Sequence, residues 1–222
     1  VALFNDSKID AIFDICPQQH SQRILPMIDE LLSRNGVKIS DLDALAYGRG
    51  PGSFTGVRIA TGIIQGLALG AELPVVEVST LAAMAQQNFM QYGFKRSKVL
   101  IDARMQEVYF GHYEIEQDSI DAVVVEKQAE AVLTPHDAVA KYAEISDDEE
   151  AYGIAGTGWE AYADTLSIMQ NRGKVVVQFP SAEYMLPLAL QAIKAGKAIS
   201  VDDISPVYLR DKVTWKKLPG RE

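Results

Sequence analysis

From Tyr47 to Arg58 the chain reads Tyr-Gly-Arg-Gly-Pro-Gly-Ser-Phe-Thr-Gly-Val-Arg, with four glycines and a proline in twelve residues. Glycine at this density lets the backbone turn through conformations closed to other residues, or lets another group approach closely. The run follows the apolar stretch Ala44-Leu45-Ala46-Tyr47 and precedes a segment with helical character. A strand, a glycine turn and a helix in that order make an anion cradle, because the first helical N–H groups are unpaired and point outward. Gly50, Gly52, Ser53, Thr55 and Gly56 are the candidate contact positions. Both sharp phosphate fingerprints fail, however. No Lys-Ser or Lys-Thr closes the loop as a P-loop requires, and no G-x-G-x-x-G reading fits. The loop therefore specifies a backbone shape, not a nucleotide.

Other chemistries are spelled less clearly. In Gly52-Ser53-Phe54-Thr55-Gly56 the second glycine comes one residue too late for the nucleophile elbow of a hydrolase. Thr55 reads as the N-cap of the following helix. Cys16 precedes a proline and has no basic group close in sequence to lower its pKa, so it reads as a buried or half-buried small side chain. His20, His112 and His136 form neither His-x-x-x-His nor His-Glu-x-x-His, which leaves a metallopeptidase without visible ligands, and no metal site is expected. Asp102 ends a strand, where a carboxylate can hold magnesium or water. Ala103-Arg104 follow it in place of glycines, so an ion pair or a turn hydrogen bond is the expectation. Gly156-Thr157-Gly158 ahead of a helix is a short, weak phosphate signal. Lys212-Val213-Thr214-Trp215-Lys216-Lys217 is a basic, aromatic cluster, expected as a surface-docked tail.

Composition bounds the classes. The 222 residues hold one large domain or two small lobes. With 48% hydrophobic and 23% charged residues the chain is ordinary for a globular protein. It holds no unbroken apolar run of about 18 residues, so no membrane span is expected. The start lacks a signal-peptide pattern and the single cysteine excludes an internal disulfide, so a cytoplasmic location is expected. A net charge of −9 argues against a chain that grips RNA by itself, since phosphate contacts supply much of such affinity.

The elements that position these residues alternate. Val1–Phe4 and Ile9–Ile15 flank the polar turn Asn5-Asp6-Ser7 as hairpin strands. Ile24, Leu25, Ile28, Leu31 and Leu32 mark one face of a helix, with Pro26 in its first turn and Asn35-Gly36 at its end. Strand Ala44–Tyr47, the glycine loop, helix Val57–Leu69, strand Val75–Val78 and a helix capped by Ser79 or Thr80 follow. After Gly93 the pattern restarts: Lys98–Asp102 and Glu107–Glu116 read as a hairpin that Ala122–Glu126 extends. Thr134-Pro135 opens a short helix, and Asp147-Asp148-Glu149-Glu150 is a solvated loop. Strand Tyr152–Ala155, a helix, strand Val175–Gln178 and a helix behind Ser181 complete the order. Two such rounds suggest two similar lobes of mixed sheet with flanking helices, divided near residues 93–98.

Helix Val57–Leu69 is apolar on most of its circumference, with only Arg58, Thr61 and Gln65 polar. Gly62, Gly66 and Gly70 recur every four residues, and each costs about 1 kcal/mol against alanine inside a helix. Three of them need a compensating close approach. Either the helix is sandwiched inside its own domain, or one face lies on the sheet and the other on a second protein chain.

Several segments carry a family resemblance. Arg49-Gly50-Pro51-Gly52-Ser53-Phe54-Thr55-Gly56-Val57-Arg58-Ile59 resembles the signature of the TsaB (YeaZ) family, needed for threonylcarbamoyl modification of tRNA. His20–Met27, Val78–Leu81, Ile101–Met105, Gly156–Trp159 and Pro206–Arg210 are similar to that family too, and the likeness is weakest around residues 114–150. The resemblance implies an α/β chain with the two-lobed fold shared by actin, the sugar kinases and Hsp70, its lobes ribonuclease H-like. It implies a first lobe over residues 1–97 that lacks the family's opening strand, and a second over 98–222 whose tail, 205–222, packs back on the first.

It also implies a non-catalytic subunit that pairs with a homologous TsaD-like catalytic chain, or with a second copy of itself when alone. A TsaE-like ATPase would dock on the assembled pair. ATP or ADP with Mg is expected in the complex and no cofactor in this chain by itself, with tRNA touched only indirectly. Leu25, Ile28, Leu32, Ala60, Ile63, Ile64 and Leu67 are the residues expected at the helical interface. The rival expectation is an ATP-dependent phosphotransferase or ATPase acting through the interlobe cleft, which the missing carboxylate–glycine phosphate set disfavours.

Overall fold

The computed structural model describes residues 1–116, 119, 121–145, 152–170 and 173–210. The expected acidic loop at 147–150 and the Lys212–Lys217 cluster lie outside the described residues.

Two small sheets precede a large one. β1 (Ala2–Asn5) and β2 (Lys8–Ala11) form an antiparallel hairpin whose turn residues Asp6 and Ser7 take φ of 46° and 66°. α1 (His20–Asn35) follows, ended by Gly36 in the left-handed region. β3 (Leu45–Gly50) and β4 (Val75–Ser79) run parallel, joined by α2 (Phe54–Ala71). α3 (Thr80–Tyr92) then leads into a mixed sheet in the order β7-β6-β5-β8-β9. Its strands are β5 (Arg96–Arg104), β6 (Glu107–Ile115), β7 (Val124–Leu133), β8 (Tyr152–Ala155) and β9 (Gly173–Val177). α4 (Pro135–Ala143), α5 (Gly158–Ala161) and α6 (Ala163–Gln170) join them, and α7 (Leu186–Lys194) lies beyond.

Strand alternation builds two cores on the large sheet. Val99 and its neighbours pack on Leu81, Met84 and Ala85 of α3. Leu100, Phe110 and Ile154 face the opposite layer, where Tyr142, Trp159 and Leu166 are fully buried. α3 also buries Gln86, whose amide donates to the Ala122 carbonyl at 3.0 Å and accepts from the Val124 N–H at 2.9 Å. The β3–β4 pair is covered by Ala68 and Ile64 on one side and by Ala189 of α7 on the other.

Residues 97 and 98 lie inside β5, and α3 packs on the large sheet rather than only on β3 and β4. The return to the first part of the chain begins well before residue 205. Ile199 bridges Val75, the Ser205 carbonyl accepts from the Tyr47 hydroxyl at 3.1 Å, and the Val207 N–H donates to the Arg49 carbonyl at 3.0 Å.

Two local expectations are corrected. α1 starts at His20, so Pro26 sits inside it rather than in its first turn. The carbonyl left without a donor is that of exposed Gln22, which water can satisfy. α2 starts at Phe54, and Ser53 rather than Thr55 is its N-cap, accepting from the Gly56 N–H at 3.1 Å. α2 is also long and apolar enough, by length and composition, to cross a membrane. Glycines and Arg58 interrupt its apolar pattern, and it packs along β3 and the Val201–Ile204 segment.

Among the described residues the two small sheets do not join: β1 pairs with β2 and β3 with β4, and the stretches Val1–Asn5 and Asp43–Gly48 line a cavity of about 400 Å³. α1 and α2 close it on one side and α7 on the other, with an apolar lining that includes Ile24, Leu31 and Leu190.

Candidate partner-binding face

α2 has two unlike sides. Of its 18 residues only Thr61 and Ala68 are buried. Thr55, Arg58, Gly62, Gly66 and Leu69 are exposed, and their spacing of three and four places them on a single face. Leu69 is 69% exposed, more than any other large apolar residue among those described. A Cβ built on Gly62, Gly66 or Gly70 would meet no atom within 4 Å. The glycine stripe therefore opens outward, and no other described residue fills it.

The other side of α2 holds the apolar residues singled out from the sequence. Ala60, Ile63, Ile64 and Leu67 are half-buried and line the cavity, as do Ile28 and Leu32 of α1. Leu25 alone of the seven is largely exposed, at 49%. The structure thus gathers six of them around the cavity and leaves Leu25 on the surface of α1.

At the start of α2 the glycine loop is shaped by close contacts. Gly50 takes φ +98°, and a Cβ there would stand 3.3 Å from the Val207 carbonyl oxygen. Gly52 and Gly56 are half-buried, and Ser53 and Thr55 are exposed. Beside the loop, the Arg58 guanidinium lies 3.4 Å from the Phe54 ring centroid and 5.4 Å from that of Tyr208. The two aromatic rings are themselves 6.0 Å apart. Tyr208 had no signal in the sequence that tied it to Arg58, because the pair is 150 residues apart.

The candidate cleft residues are engaged elsewhere. Asp102 Oδ1 accepts from the Tyr162 hydroxyl at 3.2 Å and from the Arg104 N–H at 2.9 Å, and Oδ2 pairs with the Arg104 guanidinium at 3.1 Å. Burial, with Asp102 alongside, raises the Tyr162 pKa. The Thr157 hydroxyl accepts from the Asp102 N–H at 3.2 Å. Gly156 and Gly158 are required by proximity: a Cβ on them would stand 2.1 and 2.9 Å from the Leu100 carbonyl oxygen. That packing accounts for both glycines without a phosphate. His20 starts α1 with Nδ1 3.8 Å from the Cys16 sulfur, His136 is exposed on α4, and His112 is buried on β6. No group of three or more His, Cys, Asp or Glu converges among the described residues.

A family model described as "TsaD: tRNA N6-adenosine threonylcarbamoyltransferase" matches residues 14–218. The tRNA threonylcarbamoyladenosine biosynthesis protein TsaB of Escherichia coli (strain K12) is 46% identical over 225 residues, spanning 100% of this chain and 94% of its own length. The protein of the same name from Haemophilus influenzae is 42% identical over 226 residues, spanning 100% and 93%. A crystal structure of a Pseudomonas aeruginosa protein, described as similar to peptidase YEAZ, superposes with a TM-score of 0.81 and 38% identity, over 94% of this chain and 93% of that one. The mixed sheets with flanking helices are accordingly those of the actin-like fold. On these matches the chain belongs to the TsaB (YeaZ) family of tRNA threonylcarbamoyladenosine biosynthesis proteins.

Proposed function

We propose that this chain is the non-catalytic subunit of the machinery that makes N6-threonylcarbamoyladenosine in tRNA, and that it pairs with a TsaD-like homologue through α1 and α2. The observation that carries this reading is the outward face of α2, where Gly62, Gly66 and Gly70 stand open beside exposed Leu69. A helical glycine is unfavourable by about 1 kcal/mol, and a stripe of three is useful where another helix backbone comes close. On this reading Leu25 meets the partner directly. Ile28, Leu32, Ala60, Ile63, Ile64 and Leu67 form the inner apolar layer that holds the two helices side by side. Without the catalytic chain, the same face pairs two copies of this one.

A TsaE-like ATPase docks on the assembled pair, and ATP or ADP with Mg belongs to that assembly, in the cytoplasm. Arg58 and the glycine loop lie at the end of the pairing face, where they contact the partner rather than a bound nucleotide. The phosphotransferase alternative is weaker because Asp102 is already occupied by Tyr162 and Arg104, and Gly156 and Gly158 by the Leu100 carbonyl.

The test is co-elution. The purified chain is mixed with a TsaD-like homologue and run on a sizing column, alongside Leu69→Glu and Gly66→Leu. Both substitutions fall on the exposed face and leave the cavity side untouched. Loss of the mixed species with folded variants supports the reading; undiminished pairing by both overturns it.

A further inference from the structure

At the C-terminal ends of β3 and β4 a carboxylate from the large sheet closes a polar cluster that the pairing face does not explain. Glu130, on β7, keeps only 5% of its side chain exposed. Its Oε1 accepts hydrogen bonds from the hydroxyls of Ser79 and Tyr113, and its Oε2 accepts from the Arg49 guanidinium at 3.3 Å. The three donors come from the β4–α3 junction, from β6 and from β3. Ser79 is fully used, because its oxygen also caps α3 by accepting from the Leu81 and Ala82 N–H groups at 3.1 and 3.2 Å. Its one proton is committed to Glu130. Burial and the neighbouring carboxylate keep the Tyr113 hydroxyl protonated, so it too donates.

A buried carboxylate is costly unless each lone pair finds a donor, and here one charge collects all three. A glutamine in its place would turn an amide N–H₂ toward a hydroxyl or a guanidinium that is itself a donor. Arg49 is also gripped from the opposite direction, its carbonyl accepting from the Val207 N–H at 3.0 Å. The next residue, Gly50, begins the turn at φ +98°, and Ser53 then caps α2. The path from Glu130 to the first turn of α2 is therefore short and made of directional contacts.

We propose that Glu130 is a positioning residue: by holding Arg49 it fixes the glycine loop against the large sheet and sets the direction in which α2 presents its glycine stripe. This rests on the pairing reading above. The carboxylate does not touch the partner; it acts through Arg49.

The test compares Glu130→Gln, Arg49→Ala and the double variant at a temperature where all three are folded. Two quantities are read: pairing with the TsaD-like homologue, and hydrogen exchange at the amides of the first turn of α2 in the free chain. Each single variant is expected to weaken pairing about tenfold, with the double no weaker than either, because all three break one contact chain. Exchange in the first turn of α2 should quicken while that in α4 stays unchanged. A merely structural Glu130 would lower the melting temperature and leave pairing and α2 exchange as in the unsubstituted protein, which overturns the proposal. Gly66→Leu run in parallel separates the two readings. If it still pairs, the docking face is wrong, and the exchange data alone then decide whether Glu130 holds the loop.

Discussion

Gly62 and Gly66 stand one helical turn apart on the outward side of α2, and a Cβ added to either would meet no atom within 4 Å. An unfilled glycine notch makes stability and association respond with opposite signs. Alanine at both positions should stabilise the isolated chain by about 0.5–1 kcal/mol each, through helix propensity. The same methyl groups should hold a partner helix away and weaken pairing. Thermal unfolding of the free variant and sizing of the mixed pair check the two halves together. A variant that melts higher and pairs unchanged would mean that no backbone approaches these glycines.

Gly156 is a glycine of the opposite kind. Its φ is +102° and a Cβ would lie 2.1 Å from the Leu100 carbonyl oxygen, so alanine there meets both strain and a backbone clash. Gly156→Ala should destabilise by roughly 3 kcal/mol or more. Gly36→Ala, also at positive φ but with nothing within 4 Å, should cost about 1 kcal/mol. Denaturant midpoints of the two variants, compared with the parent, check the ordering.

These two classes of glycine show where the sequence is legible. Local rules hold where the cause is local. Thr134 caps α4 with Pro135 at its first position, and Tyr152–Ala155 is a strand with the bounds read for it. The every-fourth spacing of Gly62, Gly66 and Gly70 places them on one side of the helix, but spacing alone does not say that this side faces out, as it does here. The apolar residues chosen beside them, Ile63, Ile64 and Leu67, line the cavity, since apolar side chains turn inward when an inner surface is within reach. Glu130 had no signal at all. In Val-Val-Glu-Lys-Gln-Ala-Glu-Ala-Val-Leu an acid reads as a solvated strand face, and its donors are 17, 51 and 81 residues away. Such a cluster becomes visible only when β6 pairs with β7 and the ends of β3 and β4, in a separate sheet, come against them.

His112 links the large sheet to pH. It is 4% exposed, with Nε2 3.3 Å from Glu114, and Nδ1 finds no partner among the described residues. Burial lowers its pKa below 6.5, and Lys98, Arg96 and Lys127 act in the same direction while Glu114 opposes them. The unfolded chain therefore binds more protons than the folded one between the two pKa values. The stabilising contribution is complete above about pH 6.5, the ordinary histidine value, and is lost as the pH falls below it. His112→Gln should flatten the decline in stability between about pH 7 and pH 5. Urea midpoints measured across that window check it, and parallel slopes for the two proteins would count against the assignment.

The cavity between β1 and β3 sets the last expectation. Its walls include β1 and β3, which among the described residues pair only with β2 and with β4 respectively, and helices cover it from both sides. Val1 sits at its rim, its nitrogen donating to the Ile12 carbonyl at 2.9 Å. An extended apolar segment of about six residues has the shape such a gap between sheet edges accepts. Joined ahead of Val1 through a short turn, it would leave the bond from the Val1 nitrogen to Ile12 in place. It would also give backbone groups of β1 and β3 that face the cavity hydrogen-bond partners and cover the apolar walls. The extended chain should melt at a higher temperature and bind less of a dye that fluoresces on apolar surfaces. A control extension of the same length made of glycine and serine should do neither. Equal behaviour of the two extensions would show that the walls close on themselves in solution, leaving no room for a strand.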